Sequence, residues 1–196
     1  MQPAWHPEGD QIAWIEWDHP NMPWDGTRLK LAHLAFPEGG LPVVISATVE
    51  AGGPDTAIYQ PEFTPDAVSL LYVSDHSGWG HLYRRHLVSG EVRELTEGDS
   101  DFGEPAWIQG QYRVAALPGG AAIAVRSKDA FDSLTLIHST GDLTDLSSRH
   151  AGYTSITQPA VSPDGTRLAF IGSGGQQPPR VVVMELHQRP PVATVI

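Results

Sequence analysis

The sequence predicts an all-β fold, a β-propeller of about four blades with four antiparallel strands in each. Three observations carry this. One short pattern recurs, in which a Pro and an apolar residue lead into a tight turn and then a strand-like apolar run. Its clearest copy is Gln158-Pro159-Ala160-Val161-Ser162-Pro163-Asp164-Gly165-Thr166-Arg167-Leu168-Ala169-Phe170. Others are Gln60-Pro61-Glu62-Phe63-Thr64-Pro65-Asp66 and Pro3-Ala4-Trp5-His6-Pro7-Glu8-Gly9, with a degenerate fourth at Glu104-Pro105-Ala106-Trp107-Ile108. The copies fall at intervals of roughly 45–60 residues, a spacing that suits radial arrays of small sheets. Finally, 20 Gly and 17 Pro, with no convincing run at the helical period, suit many short strands joined by turns. One such unit cannot bury both faces of its sheet, so the units must stack on one another. Four units are visible, which makes this a partial propeller.

The turn chemistry is specific. Pro presets φ at the first central position, Asp bonds back to nearby backbone, and Gly accepts positive φ. The first unit, residues 1–50, opens with a strand near 3–6. The turn Pro7-Glu8-Gly9 follows, then the run 11–17, whose loose alternation fits a strand buried on both faces. The loop Asp18-His19-Pro20-Asn21-Met22-Pro23-Trp24-Asp25-Gly26 carries two prolines that forbid helix or central strand. Strands near 28–34 and 42–46 complete the unit.

The second unit, 51–98, begins with a Gly-rich connector at 50–55. Its strands are expected near 59–64, 69–74, 81–87 and 92–96, with a hairpin turn at Val88-Ser89-Gly90-Glu91. Ala67 stands where the other clear copies have Gly9 and Gly165, so either a left-handed Ala costs roughly 1 kcal/mol or the turn is a residue longer. The third unit, 99–150, has strand-like runs at 112–117, 121–127, 134–138 and 143–146. Pro118-Gly119-Gly120 and Ser139-Thr140-Gly141-Asp142 are its turns. The fourth, 151–196, has strands at 180–186 and 192–195. Reversal at every strand puts the loops at 18–26, 75–80, 128–132 and 172–179 on one face of the disc, with the connectors at 50–55, 98–103 and 149–152.

The 12 basic and 23 acidic residues give a net charge of −11, which argues against nucleic acid as a partner. There is no Cys, hence no disulfide, thiolate metal site or thiol nucleophile. The first residues lack the apolar core of a signal peptide, and no stretch is long enough to span a membrane, so a cytoplasmic protein is expected. The nine His do not pair at the spacing of a compact zinc site, and no metal or cofactor is expected.

Laid out this way, the sequence resembles the propeller of the prolyl oligopeptidase family, in particular its bacterial acylaminoacyl-peptidase or dipeptidyl-peptidase-like members. The residues carrying the resemblance are 14–27, 60–66, Tyr72-Val73-Ser74-Asp75-His76-Ser77-Gly78-Trp79-Gly80-His81-Leu82-Tyr83-Arg84 and Phe102-Gly103-Glu104-Pro105-Ala106-Trp107. The family tends to have two aromatics where this chain has Trp79-Gly80. Its propellers usually have seven or eight blades. They accompany an α/β-hydrolase domain whose Ser nucleophile sits in a Gly-x-Ser-x-Gly elbow. No elbow occurs here: Gly172-Ser173-Gly174-Gly175 has Ile171 at the first Gly position.

The resemblance implies a non-catalytic propeller segment of a serine peptidase, with the hydrolase domain itself absent. The segment would cap that domain and filter small peptides. Its partners are then the α/β-hydrolase domain and small peptides, with no catalytic residue in this chain. The expected docking and filtering surface is Asp18, His19, Asn21, Trp24, Asp25, Asp75, Trp79, Asp101 and Phe102. Trp14, Trp17 and Trp107, on or beside strands, are expected in the core. Trp24 and Trp79 fit either a surface or a plug between blades. Two alternatives stand: a protein-interaction propeller of the Tol-Pal type, and a carbohydrate-active propeller with paired carboxylates drawn from Asp18, Asp75, Asp101 and Glu104.

Overall fold

The computed structural model describes residues 1–105, 107–147, 152–187 and 193–195. Ala106, His150, Val192 and nearly all of the expected connector at 149–152 lie outside the described residues. Among the described residues, sixteen strands form four separate four-stranded antiparallel sheets, each in simple sequential order. The first holds β1 (Ala4–Trp5), β2 (Gln11–Glu16), β3 (Arg28–Ala35) and β4 (Val43–Gly52). The second holds β5 (Ile58–Phe63), β6 (Ser69–Ser74), β7 (His81–His86) and β8 (Val92–Glu94). The third holds β9 (Val114–Ala116), β10 (Ala122–Lys128), β11 (Phe131–Ile137) and β12 (Leu143–Asp145). The fourth holds β13 (Ser155–Val161), β14 (Arg167–Gly174), β15 (Gln177–Glu185) and β16 (Ala193–Val195). This is the four-bladed propeller array that the repeats predict.

The Pro-Asp-Gly turns take the conformation their chemistry implies. The amides of Gly9, Ala67 and Gly165 donate to the carbonyls of His6, Thr64 and Ser162, with Pro7, Pro65 and Pro163 second in each turn. The residue closing each turn is left-handed, with φ of 79°, 60° and 70°. Asp164 accepts from the Ser162 hydroxyl (2.6 Å), the Thr166 hydroxyl (2.7 Å) and the Thr166 amide (3.0 Å). Those bonds hold its carboxyl down at about 2.

The degenerate copy of the repeat at 104–108 does not open blade three. β9 does, inside the run expected at 112–117, and Pro118-Gly119-Gly120 is the turn that follows it, as expected, with both glycines left-handed. Two expected loops are also tight hairpins. Lys128 pairs with Phe131 across Asp129 and Ala130, both at positive φ, and Gly174 pairs with Gln177.

The Gln-Pro that starts each clear copy has its own purpose. Gln2, Gln60 and Gln158 are all left-handed, at φ 48°, 47° and 56°. In β5 and β13 the Gln-Pro pair is a bulge in the ladder to the next strand. The freed Gln side chains tie inner strands together. Gln60 N–H donates to Gln2 Oε1 (2.8 Å), and Arg113 N–H donates to Gln60 Oε1 (2.6 Å).

Packing lies between blades. Ala13, Ile15, Leu29 and Leu31 of blade one meet Ile58, Phe63, Leu70 and Tyr72 of blade two. The other face of blade two, with Leu71, Val73 and Leu82, meets Val114, Ala124 and Ile137 of blade three. Ile123, Val125 and Leu134 then meet Ile156, Leu168, Phe170 and Val182 of blade four. Inner strands pack in the order β1, β5, β9, β13, and no comparable packing joins β13 back to β1 among the described residues. The array is therefore an open arc. Its free faces expose Trp5 at one end and Ile171 and Val181 at the other.

Candidate functional site

The loops between second and third strands gather on one face with the connectors. Segment 17–27 is held from both sides. Asp18 pairs with Arg28 (2.6 Å), which also reaches Glu16 (3.4 Å). Asn21 Nδ2 donates to the Pro54 carbonyl (3.1 Å), and the Met22 amide donates to Asp25 (2.8 Å). A Cβ at Gly26 would lie 2.0 Å from the Pro54 oxygen, so only Gly lets the connector pass there. Asp18, Asp25 and Trp79 are exposed or partly so, and His19 is exposed.

Two aromatics depart from expectation. Trp107 is 65 % exposed and stacks on Trp24, with ring centroids 4.5 Å apart, rather than packing in the core. Met22 and Ile108, close to the two rings in sequence, are also exposed. Phe102 corrects the expectation in the other direction. It is fully buried in the core between blades two and three, with its amide on the Gly80 carbonyl (2.7 Å), so it is no surface residue. The run of polar residues around it, 97–104, hid its role.

Asp75 and Asp101 meet at a polar cavity of about 370 Å³, also lined by Tyr59, Glu104, Arg113 and Ser127. Each aspartate is partly committed to backbone: Asp75 accepts from the Ala57 amide (2.7 Å) and Asp101 from the Gly80 amide (2.7 Å). Burial pushes the Asp75 carboxyl up, more than the Ala57 amide pulls it down. Burial and the nearby Asp75 and Asp101 charges also push the Tyr59 hydroxyl up.

Arg113, which no sequence pattern singles out, also lines this cavity. Its buried guanidinium bonds Asp132 (2.8 Å) and the Ser127 hydroxyl, and lies 3.8 Å from Glu104. Its Nε is buried without a partner among the described residues. Burial pushes the Asp132 carboxyl up, but bonds from Ser127, the Ile156 amide and Arg113 outweigh it and hold the group low. With Arg113 shared by Asp132, the wall formed by Asp75, Asp101 and Glu104 favours a cationic guest.

The Ser77 hydroxyl lies 3.2 Å from His81 Nδ1, but that nitrogen also faces Glu94 (2.8 Å) while Nε2 faces the Gly98 carbonyl (2.9 Å). Acceptors thus already lie against both ring nitrogens, and the imidazole is committed to Glu94 and Gly98 rather than held as a base for Ser77. His6, Glu8 and Asp10 bring ligand atoms within 4.8 Å of one another. There His6 bonds Asp10 (2.8 Å) and the Ala67 carbonyl (3.1 Å), which accounts for the grouping as turn structure.

No family model matches the sequence, and no curated protein is significantly similar to it. Solved structures are. The crystal structure of puromycin hydrolase superposes with a TM-score of 0.84 at 30 % identity, covering 98 % of this chain and 28 % of that one. A puromycin-hydrolysing peptidase from Mycobacterium tuberculosis gives 0.83 at 28 % identity, covering 99 % and 28 %. TolB from Acinetobacter baumannii gives 0.66 at 16 % identity over 100 % of this chain and 42 % of its own, a likeness of fold alone. The chain spans just over a quarter of the length of the two hydrolases. Over essentially its whole length, it matches the propeller portion of peptidases of the prolyl oligopeptidase family.

Proposed function

We propose that this chain is the non-catalytic propeller segment of a serine peptidase, lying over an α/β-hydrolase domain and filtering its peptide substrates. The observation that carries the reading is a match over essentially the whole of this chain to part of peptidase structures, by a sequence with no nucleophile elbow. Under this reading the Trp24–Trp107 pair meets the hydrolase domain. The acidic cavity that Arg113 lines takes the charged amino end of a short peptide. Both belong to a longer cytoplasmic chain.

The purified chain is expected to show no turnover of chromogenic peptides; genuine turnover would overturn the proposal. Titration with a tripeptide should show weak binding that N-acetylation reduces. Glu104→Gln should weaken it several-fold, on the order of one lost charge contact. Equal affinity for acetylated and free peptides would remove the cavity from the reading.

A further inference from the structure

A second cleft, of about 220 Å³, opens on the opposite face of the disc, where the hairpin turns of blades two and three meet. It is lined by Arg84, Arg93, His86 and Ser69 of blade two and by Gly119 and Gly120 of blade three, with Asp66 and Glu91 also bordering it. Arg84 and Arg93 are directly opposite each other on β7 and β8. Like charges in that position repel and destabilise a sheet. The chain has only 12 basic residues against 23 acidic ones, so the pairing is unexpected on composition.

Local structure does not neutralise the pair. Each guanidinium donates to a neutral carbonyl of the β11–β12 turn, Arg84 to Ser139 (3.1 Å) and Arg93 to Thr140. Neither has a carboxylate within ion-pairing distance among the described residues, whereas Arg85, on the other side of the sheet, pairs with Glu50 at 2.5 Å. Asp66 is already used by the Thr64 hydroxyl (2.5 Å) and the Val68 amide (3.2 Å).

His86 adds a donor of fixed identity. Its Nδ1 accepts from the Ser89 amide at 3.1 Å, so the neutral ring carries its proton on Nε2. Arg84, Arg93, His86 and Ser69 therefore line one cleft with donor-bearing side chains.

We propose that this cleft binds a small oxyanion, a phosphate or carboxylate group, clamped between Arg84 and Arg93. Planar arginine forks suit such groups. Asp66 and Glu91 nearby limit the charge it tolerates, which favours a single small anion over a polyanion. The cleft lies away from the loop face, so the proposal stands or falls separately from the peptidase reading.

The test is calorimetric titration of the full chain with inorganic phosphate, and in parallel with acetate, in low-salt, phosphate-free buffer. Phosphate is expected to bind with Kd below about 1 mM, and Arg93→Gln, at an exposed position, to weaken it about tenfold. Arg93→Lys, which keeps the charge but loses the fork, should fall between. A melting curve for each variant separates lost binding from lost folding. Tighter phosphate than acetate assigns a phosphoryl ligand, and the reverse a carboxylate. No heat from either anion up to about 10 mM, or undiminished binding by the folded Arg93→Gln chain, would overturn the proposal.

Discussion

Ala67 shows how much one position in a repeat can reveal. Its place in the pattern demands a left-handed backbone, and it has one, at φ 60°. Ala67→Gly should therefore stabilise the chain by up to about 1 kcal/mol in urea denaturation, strain relief outweighing the added freedom of the unfolded chain. Glu62 gives no such warning, because its surroundings come from another blade. Its Oε1 accepts the Ala116 amide (3.1 Å), and its Oε2 is buried without a partner among the described residues. Burial pushes the carboxyl from 4.5 up to about 7. The folded chain thus keeps a proton that the unfolded chain has released. The contribution of this carboxyl to stability should be level below pH 4.5, decline as pH rises towards 7, and stay at the lower value above it. Glu62→Gln should abolish that slope and add roughly 2–3 kcal/mol at alkaline pH, as followed by denaturation across pH.

At the scale of the strand and turn, legibility depends on how local the signal is. The six residues of β6 are delimited in the sequence because Asp66 and Asp75 bracket an apolar run. β9 falls inside the run expected at 112–117, but its Pro-Gly-Gly turn lacks the Asp of the motif, so the repeat pattern by itself points to 104–108 instead. The exposure of Trp107 and the burial of Phe102 and Arg113 are illegible for a different reason. Each is decided by a partner from another blade or loop, and no periodicity records that. The joint between blades three and four offers a test. Asp132 accepts from Arg113 (2.8 Å) and from the Ile156 amide (2.9 Å). Asp132→Ala leaves a buried guanidinium short of its counter-ion and should cost about 3 kcal/mol, read by chemical denaturation. Asp132→Asn, which keeps the Ile156 bond, should recover part of that.

The whole molecule is an arc with two uncovered ends. On blade four, Ile171 and Val181 pair across adjacent strands, 39 % and 47 % exposed. Apolar faces of this kind recruit partners, so sedimentation of the isolated chain should reveal concentration-dependent association. Val181→Lys, which places a charge in the middle of that face, should shift it towards monomer. Because each apolar layer is shared by two neighbours, blades two and three each lean on two layers while the outer blades lean on one. Such a stack comes apart from its rims inward. Amide exchange should then run fastest along the solvent-washed β4 and slowest in β6, where every residue is shielded. A nick or a mutation in the second blade would sever the array into two pieces, whereas the same damage in the first would merely shorten it.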